Sequence, residues 1–90
     1  MGKRVKKTYR GENIYISIFP GKKEIFISMV ENGKMEETMA GIDLLSRLCS
    51  CYWQATGDLS EVVRQLKKSS RTPNDIPGLL LTAIGETANE

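Results

Sequence analysis

The run Arg71-Thr72-Pro73-Asn74-Asp75 holds the side chains best suited to bind a small anionic ligand. An arginine guanidinium pairs with phosphate oxygens through two parallel hydrogen bonds, and amide or carboxylate groups can bind ribose hydroxyls. Pro73 marks a break before a short helix, and backbone N–H groups at a helix N-terminus attract anions. We therefore predict ligand contacts by Arg71, Thr72, Asn74 and Asp75, with helix capping as the alternative role of the last two.

A second group of candidates surrounds the single tryptophan, Trp53. Because Trp53 follows Tyr52 on a predicted helix, one of the two rings must face away from the core, where it would serve as an oligomer contact or as a platform for base stacking. Arg47 and Gln54 lie seven residues apart, share a helix face and flank Trp53, so they are further pocket candidates. Arg10 would join them if the N-terminal segment lies against the folded body.

The sequence lacks the usual residues of catalysis. It contains no histidine, the commonest general base and metal ligand. Glu36 and Glu37 are adjacent and typical of the acidic first turn of a helix, while Asp43 and Arg47 form an ordinary i,i+4 pair. Since neither arrangement sets a nucleophile beside a base, we predict a protein that is not an enzyme and that uses no metal or cofactor.

The two cysteines, Cys49 and Cys51, are two residues apart in a predicted helix. Side chains at that spacing point about 200° apart, so they suit neither a disulfide nor a shared metal. We interpret them as core or interface residues of a reduced protein. No apolar run reaches transmembrane length, and residues 1–7 lack the apolar centre of a signal peptide. The expected location is the cytoplasm, or the host cytoplasm for a viral protein, without membrane contact.

The net charge of +2 hides an uneven distribution. Five basic residues and no acidic residue fall in the first ten positions, namely Lys3, Arg4, Lys6, Lys7 and Arg10. Such a segment attracts phosphate, in nucleic acid or in a nucleotide-like ligand, although a solvated tail or a charged first strand has the same composition. We treat residues 1–11 as a basic N-terminal arm of a single domain that spans residues 1–90.

Alternating apolar residues predict an antiparallel hairpin. One alternating segment runs from Asn13 to Phe19, and a second follows the turn Pro20-Gly21-Lys22-Lys23. The predicted core face consists of Ile14, Ile16, Ile18, Ile25, Ile27 and Met29. A third, edge strand beginning at Val5 and Tyr9 is a further prediction. Because two strands alone are marginally stable, helices or another subunit must cover the sheet.

The spacing of apolar residues changes after Glu31-Asn32-Gly33-Lys34 to intervals of three and four, which predicts a helix from about Glu36 to Ala55. Its predicted inward face consists of Met39, Ile42, Leu45, Leu48, Cys49, Tyr52 and Thr56. Apolar residues elsewhere on this helix, among them Leu44 and Cys51, predict that it also contacts a neighbouring subunit.

Capping residues predict two short helices after the long one. Gly57 is a C-terminal cap, and Asp58-Leu59-Ser60-Glu61 has the pattern of a capping box. Asn74 or Asp75 would cap the last helix, with Pro77 in its first turn. We therefore predict an α+β fold in which an N-terminal antiparallel hairpin or small sheet packs on a long helix followed by two short helices. The expected assembly is a homo-oligomer, a dimer or larger.

The runs Leu45-Ser46-Arg47-Leu48-Cys49-Ser50 and Glu61-Val62-Val63-Arg64-Gln65-Leu66-Lys67 resemble the TSCPD domain, and the likeness extends from Asn13 to Ala83. That domain occurs at the C-terminus of adenosylcobalamin-dependent ribonucleotide reductases and as a stand-alone protein. The Thr-Ser-Cys-Pro-Asp run that names the family corresponds here to residues 71–75, which keep a proline and an aspartate but have no cysteine. A redox or metal role of that cysteine is thus not implied for this chain.

The predicted architecture is also similar to that of phage anti-Thoeris sponge proteins, oligomers that sequester cyclic nucleotide signals of bacterial immunity. This resemblance implies a non-catalytic module that binds a nucleotide-derived small molecule, such as cyclic ADP-ribose or a cyclic oligonucleotide. Two other hypotheses stay open. One is a nucleic-acid-binding module that uses the basic arm; the other is an accessory or interaction domain related to ribonucleotide reductase.

Overall fold

The computed structural model describes residues 2–29 and 36–88 and contains a sheet followed by three helices. The elements are β1 (Lys3–Tyr9), β2 (Glu12–Phe19), β3 (Glu24–Met29), α1 (Glu36–Thr56), α2 (Leu59–Ser69) and α3 (Ile76–Ala88). This order confirms the predicted α+β fold. The predicted break at residues 31–34 lies outside the described residues.

The three strands form one antiparallel sheet in the order β1-β2-β3. Ile16 of β2 lies between Val5 of β1 and Ile27 of β3, and all three side chains are buried on the same face. The predicted isoleucine face is confirmed, and so is the third strand, because the basic arm pairs with β2 from Lys3 to Tyr9. Gly11, with φ +78°, lies in the turn between β1 and β2, where glycine avoids the strain of a left-handed backbone.

Helix α1 packs on the sheet through a face that matches the predicted one only in part, since Ile42 and Cys49 are common to both. Its buried residues are Ile42, Ser46, Cys49 and Trp53. By contrast, Leu48 is 58% exposed and Tyr52 is 44% exposed, so their predicted inward orientation is wrong. The reason is that α1 has two apolar stripes, and the stripe that meets the sheet is the one containing the large Trp53 ring and the small Ser46.

Caps define the junction between α1 and α2. Gly57, with φ +69°, donates its N–H to Trp53 O at 2.7 Å and ends α1 as predicted. Asp58 caps α2 by accepting a hydrogen bond from Ser60 N at 3.0 Å. In a capping box, the Glu61 side chain would also accept a hydrogen bond from Asp58 N. Here Asp58 N donates to Thr56 Oγ1 instead, and Glu61 pairs with Arg64.

Candidate functional site

The loop between α2 and α3 is organised around the carboxylate of Asp75. Its Oδ2 accepts hydrogen bonds from Arg71 N at 2.6 Å and Thr72 N at 3.0 Å. Its Oδ1 accepts from Gly78 N at 2.8 Å and from the Ser70 hydroxyl at 2.9 Å. Donation from the Arg71 and Thr72 amides, with smaller contributions from Gly78 and Ser70, lowers the pKa of Asp75 from 3.8 to about 2. Asp75 is therefore ionised at neutral pH and caps α3.

This geometry decides between the two predicted roles of Asp75. Four donors surround its two oxygens, and the backbone N–H groups expected to attract a ligand anion already hold this carboxylate. We therefore assign Asp75 to capping, the alternative predicted from the sequence. The neighbouring Asn74 is exposed and donates its backbone N–H to Thr72 Oγ1 at 3.2 Å.

Gly78 lets α3 approach this loop closely. A Cβ at this position would lie 2.5 Å from Thr72 O and 2.9 Å from Pro73 O. Since real Cβ atoms essentially never come so close to backbone, a larger residue would displace the loop from the helix. The N-terminus of α3 and the loop thus form one tightly packed unit.

An open cavity of about 400 Å³ lies beside this unit. Its lining combines two cationic side chains, three hydroxyl side chains and apolar groups: Lys67, Arg71, Ser70, Thr72, Thr82, Pro73, Gly78 and Leu81. Among the described residues, neither Lys67 nor Arg71 forms an ion pair. Two cations that lack a counter-charge and face hydroxyl groups form a surface suited to a phosphate-bearing ligand.

The other predicted ligand-binding residues lie outside this cavity. Trp53 is 5% exposed and packs in the core, so its predicted role as a stacking platform is wrong for this fold, and Tyr52 is the outward aromatic. Gln54 Nε2 lies 3.4 Å from Lys22 O and from Lys23 O, which ties α1 to the turn before β3.

The two remaining candidate arginines also make contacts of their own. Arg47 forms a surface ion pair with Asp43 at 2.7 Å, and this pair raises the pKa of Arg47. Arg10 has φ 52° and lies in the turn between β1 and β2, where its guanidinium is 5.3 Å from the centre of the Tyr9 ring. The structure therefore brings together Arg71 and Thr72, whereas Arg47, Gln54 and Arg10 lie at separate places.

Three polar residues of the cavity were not among the ligand-binding residues predicted from the sequence. Lys67 was interpreted as a charge that complements the end of the α2 dipole, and Ser70 and Thr82 had no predicted role. Lys67 lies in the last turn of α2, whereas Arg71 follows the extended residue Ser70 beyond the end of that helix. Helical spacing therefore does not link the two residues, and their proximity depends on the course of the loop.

The described residues offer few alternatives for reactive chemistry. Among residues 2–29 and 36–88, no group of three or more Cys, Asp or Glu side chains is arranged to hold a metal ion. Burial raises the pKa of the Cys49 thiol, whereas Cys51 is exposed, and both cysteines are free.

No helix among residues 2–29 and 36–88 has the length and apolar character needed to cross a bilayer.

The fold and the loop together define a small α+β domain in which three helices follow a three-stranded antiparallel sheet. The chain belongs to the TSCPD domain family, whose model matches residues 2–88. The resemblance stated from the two short runs is thereby confirmed over nearly the whole chain. No curated protein and no solved structure matches the chain significantly.

Proposed function

We propose that this TSCPD domain is a non-catalytic module that binds a nucleotide-derived anion as a homo-oligomer. The observation that supports the ligand class is the pair Lys67 and Arg71 on one open cavity. Both cations lack an ion-pair partner among the described residues. Asp75, the carboxylate nearest to Arg71 in sequence, is engaged by donors of its own loop and of the first turn of α3, and Glu61, the one nearest to Lys67, pairs with Arg64. A ligand with two linked phosphates would supply the missing counter-charge.

The cavity chemistry also favours a nucleotide over inorganic phosphate. Beside the cations, Pro73 and Leu81 provide apolar surface for a base or a ribose ring. Thr82 Oγ1 donates to Gly78 O at 3.1 Å and can still accept a hydrogen bond from a ribose hydroxyl. Cyclic ADP-ribose and cyclic oligonucleotides combine these groups with negative charge. The finer proposal is therefore a sponge that holds such a signal without converting it.

The exposed stripe of α1 supports the oligomer. Gly41, Leu44, Leu48, Cys51 and Ala55 are all exposed and recur at intervals of three and four, which is the spacing of a helix-to-helix seam. Leu44 is 56% exposed and Leu48 is 58% exposed, and two large aliphatic side chains on one exposed stripe are typical of an association surface. Because the stripe mixes small and large residues, a second α1 can pack closely against it.

Calorimetric titration tests the ligand proposal. We expect cyclic ADP-ribose isomers or cyclic dinucleotides to bind with micromolar or better affinity, and Arg71→Ala or Lys67→Ala to weaken binding at least ten-fold. Lys68→Ala is the matched control, because Lys68 is exposed on α2 and lies outside the cavity. Absence of binding across the panel, or equal binding by wild type and Arg71→Ala, contradicts the proposal.

Sedimentation velocity tests the oligomer separately. Leu48→Glu places a charge in the seam and should yield monomers, while Lys68→Glu, an exposed change on α2, should leave the sedimentation coefficient unaltered. A wild-type protein that sediments as a monomer at micromolar concentration would refute the seam. That result would not contradict the proposed ligand binding in the cavity, because the cavity residues all come from one chain.

Family membership supports a second candidate function, an accessory domain that works by contact with a ribonucleotide reductase. Co-purification of the tagged chain with a reductase subunit from cells that contain both would favour this function. Retention of the partner by Arg71→Ala together with its loss in Leu48→Glu would assign the contact to the α1 stripe rather than to the cavity.

A further inference from the structure

The sheet has one face that the helices leave uncovered. Side chains alternate along each strand, so the isoleucines of β2 and β3 point toward the helices and their neighbours point away. Tyr15 and Phe19 of β2 and Phe26 of β3 lie on this outer face, and Phe26 is 49% exposed. Both phenylalanines of the chain therefore lie on the outer face, where Phe26 is exposed and Phe19 is partly buried. Exposed aromatic surface that adjoins polar residues is typical of a binding surface.

The aromatic residues are held in defined positions. The rings of Phe19 and Phe26 meet edge to face, with centroids 6.0 Å apart and an interplanar angle of 70°. The guanidinium of Arg4 lies 4.3 Å from the centre of the Tyr15 ring. Phe26 and Arg4 are the two neighbours of Ser17 across the sheet, so a cation on β1 and an aromatic ring on β3 lie in one row.

The charge on this face is mainly positive. Arg4 and Lys6 alternate with the inward residues of β1 and therefore point outward, and both are exposed. Lys7, on the opposite face, is neutralised by Glu86 at 2.7 Å. Across the three strands, Glu24 is the acidic side chain that alternation places on the outer face. The outer face thus joins aromatic rings on β2 and β3 to a cationic edge on β1.

We propose that this outer face binds single-stranded nucleic acid. Single strands present unstacked bases, which stack on aromatic rings and arginine planes, and a phosphate backbone that cationic side chains attract. A duplex keeps its bases stacked inside and would meet only the cations. The site is separate from the Lys67–Arg71 cavity, and its occupant is a polymer rather than a small nucleotide.

Fluorescence anisotropy tests this inference with labelled oligo(dT) and oligo(U) of twelve nucleotides and with a duplex of equal length. We expect single strands to bind at least ten-fold more tightly than the duplex, with affinity that falls as salt rises. Phe26→Ala should weaken binding about ten-fold, in keeping with the loss of one stacked base. Arg4→Ala should also weaken it and lower the salt dependence by about one phosphate contact.

Two kinds of control keep the test decisive. Phe26→Leu preserves an apolar side chain on β3 and should weaken binding as Phe26→Ala does, which separates stacking from loss of fold. Tyr52→Ala removes an exposed aromatic of α1, and Lys68→Ala removes an exposed cation of α2; both should bind oligonucleotides as wild type does. Equal affinity for duplex and single strand, unchanged binding by Phe26→Leu, or self-association that disappears in Phe26→Ala would each overturn the proposal.

Discussion

The hydroxyl of Ser50 contacts both backbone groups of Ile25 and so joins helix α1 to the edge of the sheet. Ser50 Oγ accepts from Ile25 N at 2.8 Å, and its one hydroxyl hydrogen has two acceptors within reach, Ile25 O at 3.0 Å and Ser46 O at 2.9 Å. Strand β3 is an edge strand, and its outward N–H and C=O groups need partners because Ile25 is fully buried. Ser50 therefore satisfies the N–H of Ile25, lies beside its C=O and fixes the position of α1 along β3.

Replacement of Ser50 by alanine should lower the free energy of unfolding by about 1–3 kcal/mol, because the part-buried N–H of Ile25 loses its acceptor and the neighbouring C=O loses a donor. Urea unfolding followed by circular dichroism measures the change. Ser28→Ala is the matched control on the same strand, since Ser28 is exposed on the outer face, and it should change stability by less than about 0.5 kcal/mol. Equal effects of the two substitutions would contradict the assigned role of Ser50.

Asp75 should make stability depend on pH in the acid range. Its folded-state pKa is lowered to about 2, below the ordinary value of 3.8, so the stabilisation is complete above about pH 4. It is lost as the pH falls toward about 2, since the unfolded chain takes up the proton first. Thermal unfolding between pH 2 and pH 7 should show this loss in wild type and a flatter profile in Asp75→Asn. Asp43→Asn, which removes only an exposed ion pair, should keep the wild-type profile.

The two cysteines should differ in reactivity. Cys51 is exposed, whereas Cys49 is buried and burial raises the pKa of its thiol, which disfavours the reactive thiolate. Under native conditions at concentrations that favour monomers, one thiol per chain should react rapidly with Ellman's reagent, and the second should react only on unfolding. Cys51→Ser should abolish the rapid phase. A rapid phase that persists in Cys51→Ser would show that Cys49 is accessible and that the assigned packing of α1 is incorrect.

The strands and helix ends could be predicted because their signals are local. The alternation of Ile14, Ile16 and Ile18 fixed the buried face of β2, and Gly57 marked the end of α1. The buried face of α1 could be predicted only in part, because Ile42 and Cys49 belong to it whereas Leu48 and Tyr52 do not. Two apolar stripes compete on that helix, and the stripe that packs on the sheet includes Ser46, whose hydroxyl finds its partner in Asp43 O.

The candidate site was predicted only in part for a similar reason. Arg71 and Thr72 are adjacent in sequence, and their types indicated an anion site. Thr82 joins them only because α3 packs back against the end of α2, a contact that depends on Gly78 and on tertiary structure. Asp75 has the right chemistry for a ligand contact, but its carboxylate already accepts hydrogen bonds from the loop and from Gly78 in the first turn of α3, and the sequence alone does not show these bonds.

Native mass spectrometry of the purified protein with added cyclic ADP-ribose or a cyclic dinucleotide tests the central claim most directly, because it reports subunit number and bound ligand together. The account predicts an assembly of two or more chains that retains ligand, and an Arg71→Ala assembly of the same size that does not. Full retention by Arg71→Ala, or wild-type chains that retain no ligand of the panel, would contradict it.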